Sequence, residues 1–112
     1  MTYAITPVPK PRMTQRDRWK KRPCVLRYHA FKDAVRAAEI EIGDKVTVEF
    51  RVPMPRSWSR KKKAEMSGTP HQQKPDLDNY VKALLDACLS EDSTVWKITA
   101  TKIWSREGSI AL

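Results

Sequence analysis

The sequence predicts an α+β domain: a small mixed β-sheet carrying two main helices, in the order β-α-β-α-β-β. Two segments repeat their apolar residues at helical spacing, and a segment between them alternates apolar and polar residues with period two. The C-terminal segment reads as strand, turn, strand, so the helices are expected to pack on one sheet. At 112 residues, with 40% hydrophobic content and four Trp, residues 1–112 are expected to form a single domain with a real core.

The opening TYAITPVP mixes β-formers with prolines and supports at most a short edge strand. From Lys10 to Arg22 the chain is strongly basic without an apolar period, and is read as a loop, about 10–22. Tyr28, Phe31, Val35, Ala38 and Ile42 then mark an amphipathic helix, with Gly43 as its C-cap. Val46, Val48, Phe50 and Val52 alternate with Thr47, Glu49 and Arg51 as in a half-buried strand, which Pro53 and Pro55 end. A second basic segment, about 56–74, contains a short helix through Met66 with Ser57 as its cap, before Gly68 and Pro70 return it to loop. The second main helix runs from Asp78 to about Leu89 on a core face of Val81, Leu84, Leu85 and Cys88. Thr94 to Trp104 is a strand with Trp96, Ile98, Ala100 and Trp104 on one side, and a turn at Arg106-Glu107-Gly108 leads to a last strand, Ser109 to Leu112.

The formal net charge of +9, with 22 Lys and Arg, points to a polyanionic partner, nucleic acid before an anionic membrane. No segment reaches the roughly 20 apolar residues of a membrane span, and MTYAITPVPKPRM is no signal peptide, so a soluble cytoplasmic protein is expected. Cys24 and Cys88 stand apart in no CxxC arrangement, and His29 and His71 are equally isolated, which gives no support to a disulfide framework or a zinc site.

Against this basic background the segment Asp76–Asp92 carries five acids and one Lys, a charge of −4 that leaves +13 for the rest. Taken singly, each acid has an ordinary explanation. An Asp before a helix is an N-cap, Asp78 with Lys82 is a surface ion pair, and Glu91-Asp92 are solvated turn residues. Together, the like charges of Asp76 and Asp78 call for a cation between them. Mg²⁺ takes hard oxygen ligands and is commonly held by one or two carboxylates plus substrate phosphate. A third carboxylate and a lysine then suit phosphodiester chemistry, the lysine offsetting negative charge in the transition state. Asp78, Lys82 and Asp86 fall at i, i+4 and i+8 on one helical face, and Asp86 has two readings: it orients the Lys82 ammonium, or it is purely structural. For Asp92 to reach the other aspartates, the strand after it must run antiparallel to the helix and Leu89–Asp92 must fold back toward the helix start.

DLDN with Lys82 three residues on, LLDACL, and an acidic pair before a strand resemble the RusA family of Holliday junction resolvases. The likeness extends to phage-type members through VPMPRSWSRKKKAEMSGTPHQQKPDLDN, covering about Val52 to Val95, whereas the N-terminal half matches in layout only. The resemblance implies a RusA-like fold, Asp76, Asp78 and Asp92 as metal-binding aspartates, and Lys82 as the catalytic lysine. It further implies a Mg²⁺-dependent homodimer, with Mn²⁺ as a substitute, that cuts paired strands of a four-way DNA junction to leave ligatable nicks in recombination and repair. Several relatives have a longer, Gly-containing loop before the third acid, which leaves Glu91 as an alternative to Asp92.

Two basic clusters are expected to grip DNA: Arg12, Arg16, Arg18, Lys20, Lys21 and Arg22 in the first loop, and Arg56, Arg60, Lys61, Lys62, Lys63 and Lys74 in the second. Trp19 and Trp58 either stack on exposed bases or anchor their loops to the core. The rival to an endonuclease is a non-catalytic basic nucleic-acid-binding module in which the acids are caps and ion pairs. A third reading is an RNA-directed nuclease using the same carboxylates.

Overall fold

A four-stranded mixed sheet carries the molecule, in the order β1-β4-β2-β3. The computed structural model describes residues 1–12 and 22–112. In chain order the elements are β1 (Thr2–Tyr3), α1 (Pro23–Ala37), β2 (Lys45–Pro53), α2 (Arg60–Met66), α3 (Leu77–Cys88), β3 (Lys97–Ser105) and β4 (Ser109–Ala111). The expected α+β class holds, with two main helices and a mixed sheet: β2 pairs with β3 in parallel, and β4 pairs antiparallel with both β1 and β2.

β2 is central because its alternation is the cleanest in the chain. Val46, Val48 and Phe50 are buried on the helix-covered face, while Thr47, Glu49 and Arg51 face outward, where Arg51 pairs with Glu49 at 2.8 Å. Tyr28, Phe31 and Val35 of α1 meet Tyr80, Ala83, Leu84 and Ala87 of α3 over this face in one hydrophobic cluster with Ile110 of β4. Phe50, Leu84 and Ile110 are among the largest fully buried side chains, each contributing roughly 1.5–3 kcal/mol of apolar burial.

α1 begins and ends five residues earlier than the expected Tyr28–Ile42. Pro23 at its first turn presets the helical φ, and Val25, one turn before Tyr28, extends the buried stripe. At the other end Glu39 adopts φ 53° and its N–H bonds to the Arg36 carbonyl, so Ala38 and Ile42 lie beyond the helix and Ile40 takes the core position. The short basic helix α2 is capped by Ser59, whose Oγ accepts from the Lys62 N–H at 3.1 Å, not by Ser57. Gly68, at φ 82°, turns the chain out of α2 and donates to the Trp104 carbonyl at 2.8 Å.

β3 departs further from expectation. It starts at Lys97, and of the four residues expected on its inner face only Trp104 is buried. Trp96 is 65% and Ile98 38% exposed. Alternation predicted which residues share a side, but α3 only partly covers Ile98 and Ala100, and Trp96 stays largely exposed. The extended N-terminal segment instead crosses the molecule with Ile5 and Val8 against the core and Pro7 buried. Its approach explains Gly108, where a Cβ would stand 2.7 Å from the Thr6 Cα. Among the described residues, no helix is long and apolar enough to cross a membrane.

Candidate active site

The segment leading into α3 is fastened to β3 before it delivers its acids. Pro70 bridges to Ile103, and the His71 N–H donates to the Lys102 carbonyl at 3.0 Å. The His71 ring stacks on Trp104 with centroids 4.0 Å apart. Burial, with the nearby Lys102 charge, holds that imidazole below its ordinary pKa and therefore neutral. The Lys102 ammonium then donates to the carbonyls of Gln73 and Pro75, each at 2.6 Å. Asp76 follows directly.

Asp76 occupies the N-cap position of α3 with extended φ/ψ, yet its side chain makes no capping hydrogen bond. The ordinary explanation of this acid as a cap therefore fails, and its exposed carboxylate faces solvent. Asp78 lies in the first turn, where the helix dipole favours a negative charge. One turn on, the Lys82 ammonium stands 3.5 Å from the Asp78 carboxylate, with the side chains 60% and 65% exposed. A pair so open is worth at most about 1 kcal/mol, so a phosphate or a cation can part it at little cost.

The third aspartate is not brought to the other two. Asp92 sits in the exposed turn after α3, where its carbonyl accepts from the Val95 N–H at 3.1 Å and the neighbouring Glu91 carboxylate accepts from the Ser93 N–H at 3.2 Å. β3 does run back along α3, since Ile98 and Ala100 share a groove with Leu77, Asp78, Val81 and Lys82. Asp92, however, does not form one cluster with Asp76 and Asp78. Accordingly, no group of three or more His, Cys, Asp or Glu among the described residues forms a metal nest.

Asp86 also departs from the shared-face expectation. Eight residues of α-helix turn through about 80° beyond two full turns, which carries Asp86 away from Asp78 toward α1. There its Oδ2 accepts from the Tyr28 hydroxyl at 2.7 Å and pairs with the Lys10 ammonium at 2.6 Å. Burial alone would raise the Asp86 pKa, but the bonds from Lys10 and Tyr28 outweigh it and hold the carboxyl below its usual range. Burial, with the same contact, pushes the Tyr28 phenol up.

Of the expected DNA-gripping residues, Arg12 and Lys74 are placed at the acids, lining with Asp76 and Asn79 a cleft of about 390 Å³. Arg22 donates to the Arg12 carbonyl at 2.7 Å. Arg16, Arg18, Lys20 and Lys21, like Trp19, lie outside the described residues. Arg60, Lys61, Lys62 and Lys63 are carried by α2, a helix with no buried residue. Trp58 is half-buried against Trp104 at 4.9 Å with Lys62 over its ring at 4.3 Å, the geometry of an anchor. Lys10, Asn79 and Lys102 escaped the sequence reading. Asn79 alone had a signal there, as the last residue of DLDN.

The donor set around Asp76 and Asp78 suits a hard cation. Both candidates are carboxylates, whereas His71 is buried under Trp104 and the Cys88 thiol is pushed up by burial. Asp76 and Asp78 would hold such an ion together with water and phosphate oxygens.

Comparison with known proteins is consistent with this chemistry: the family model described as endodeoxyribonuclease RusA matches residues 4–112, essentially the whole chain. No curated protein and no solved structure gives a match.

Proposed function

The chain belongs to the endodeoxyribonuclease RusA family, whose activity is hydrolysis of phosphodiester bonds at Holliday junctions, and on that premise we propose a Mg²⁺-dependent resolvase that nicks a four-way junction in paired, symmetric fashion. The observation that carries the proposal is a pair of exposed carboxylates: Asp78, with Lys82 at 3.5 Å, and the uncapped Asp76, which lines a cleft with Arg12 and Lys74. A merely DNA-binding surface gains nothing from two acids placed where they repel phosphate.

In this proposal Asp76 and Asp78 hold the metal, Mn²⁺ substituting for Mg²⁺, and Asp92 joins them when DNA is bound, its turn Ser90–Thr94 being exposed throughout. Bound there, the ion supplies Lewis acidity and a lowered pKa for water. Lys102 fixes the backbone that sets the direction of Asp76, and Asp78 keeps the Lys82 ammonium beside the acids. As water attacks phosphorus and the 3′-oxygen departs, negative charge grows on the non-bridging oxygens. Lys82 offsets that charge, and displacing it from Asp78 costs little. Arg12, Lys74 and the exposed cations of α2 neutralise flanking phosphates.

A two-fold junction is matched by a two-fold protein, so a homodimer places one site on each scissile strand. Exposed Trp96, just before edge strand β3, and Ile98 within it supply apolar surface that supports a second copy. Residues 1–112 act as a single endonuclease domain in the cytoplasm, where branched DNA arises during recombination and repair. The test incubates protein with a labelled mobile four-way junction in Mg²⁺ or in EDTA, beside linear duplex and a matched RNA hairpin. Paired nicks that need Mg²⁺ and spare duplex and RNA support the proposal. Tight binding without cleavage in either Mg²⁺ or Mn²⁺ refutes it.

A further inference from the structure

Asp86 presents a problem that the proposed catalysis does not solve. It is an ionised carboxylate, 30% exposed, on a molecule that must approach a polyanion, and it touches neither Asp78 nor Lys82 in a bond of its own. What it holds is the N-terminal segment. The Lys10 ammonium meets Asp86 at 2.6 Å, and the Lys10 backbone N–H donates to the Asn79 carbonyl at 2.9 Å. These contacts, two helical turns apart on α3, fix the extended run Pro9–Arg12 across the helix. The Tyr28 hydroxyl, from α1, fixes Asp86 in turn.

The run so held forms one wall of a cleft of about 480 Å³, lined by Lys10, Pro11, Arg12, Asn79 and Lys82. Asp86 neutralises Lys10 and Asp78 pairs with Lys82, so among the described residues the remaining cation of the cleft is Arg12. A guanidinium with the Asn79 carboxamide at an open cleft suits one phosphodiester group.

We propose that Asp86 is a positioning residue, which holds Pro9–Arg12 against α3 so that Arg12 grips a backbone phosphate next to the one whose charge Lys82 offsets. This rests on the nuclease reading of the Asp76–Asp78 site and adds to it the location of a neighbouring phosphate.

The competing explanation makes the opposite prediction. If Lys10 were itself a phosphate ligand merely screened by Asp86, removing the carboxylate would free a cation and tighten DNA binding. If Asp86 positions the strap, Asp86→Asn weakens binding although it raises the net charge by one. The experiment measures four-way junction affinity in EDTA by fluorescence anisotropy, and steady-state cleavage, for wild type, Asp86→Asn, Lys10→Met and the double variant. Each single variant is expected to lose about 10-fold in affinity, the double variant little more, as for two partners in one interaction. KM rises while kcat at saturating junction stays within about 2-fold, since Arg12 grips a non-reacting phosphate.

Amide exchange of Asp86→Asn supplies the readout that a general loss of structure would not give. The Lys10 amide should exchange faster while Leu84 and Leu85 keep their protection. Unchanged or tighter binding by Asp86→Asn, or lost protection across α3, overturns the proposal. Failure of wild type to cut the junction overturns the nuclease reading instead, with the Lys10 amide still reporting whether Asp86 holds the strap.

Discussion

Lys102→Met removes the ammonium that joins Gln73 and Pro75 to β3 while keeping a similar apolar stem. Two hydrogen bonds of 2.6 Å are lost, one exposed and one partly buried. A hydrogen bond to a charged group contributes about 1.5–3 kcal/mol when shielded, and its exposed counterpart much less. Because the freed carbonyls regain water on their outer side, the expected net loss is about 2 kcal/mol of folding stability. For a domain of this size that corresponds to roughly 8 °C in Tm. The larger effect falls on Asp76, the residue after the clamped Pro75 carbonyl. A misplacement of the order of 1 Å at a reacting centre can cost about 10²-fold in rate. Urea denaturation reads the first quantity, and single-turnover cleavage of a four-way junction under saturating protein reads the second. Stability within about 0.5 kcal/mol of wild type, together with wild-type cleavage, would refute the argument that Lys102 orients the site.

Asp78→Asn keeps the size and exposure of the side chain but halves the acidic pair, so junction binding by gel shift should persist while Mg²⁺-dependent cleavage falls below detection. Gly108→Ala places a Cβ 2.7 Å from the Thr6 Cα, a backbone contact that no rotamer relieves, and should cost about 1–3 kcal/mol in urea denaturation. His71 is buried and its pKa lies below the ordinary imidazole value, so the unfolded chain takes up a proton first as pH falls. The stability that neutral His71 contributes is present above about pH 6.5 and is lost as pH falls from there through the folded value. His71→Gln should flatten that part of the stability–pH curve measured by denaturation.

Local patterns were legible where one element's own residues decide its structure. Val46, Val48 and Phe50 state the alternation of β2, and α3 was placed within one residue at each end. The start of α1 was obscured because Val25 sits next to a basic tract, and its end because nothing in AAEIEIG announces that Glu39 takes a left-handed turn. For β3 the sequence shows which residues share a face but not how far α3 reaches over it, hence the exposure of Trp96 and Ile98. The acids were conspicuous by their charge, and Asp78 and Lys82 are neighbours because one helix turn makes them so. The partners of Asp86, Lys10 and Tyr28, and the link from Lys102 to Pro75, depend on segments far apart in the chain. No spacing rule reaches that distance.

The position of β4 has a consequence for how the protein comes to exist at all. This three-residue strand, latest in the chain, lies between β1 and β2, pairing Tyr3 and Phe50 through Ile110. β2 likewise waits for β3, from Lys45 against Lys97 onward, and no two strands adjacent in sequence before β3 pair with each other. A chain growing from its N-terminus therefore carries Val46, Val48 and Phe50 without a sheet to bury them until β3 and β4 have been made. Assembly dominated by such distant pairings is slow and leaves apolar strand surface open to intermolecular association meanwhile. Yield of soluble protein should accordingly depend on synthesis rate and temperature more steeply than the size of the domain suggests.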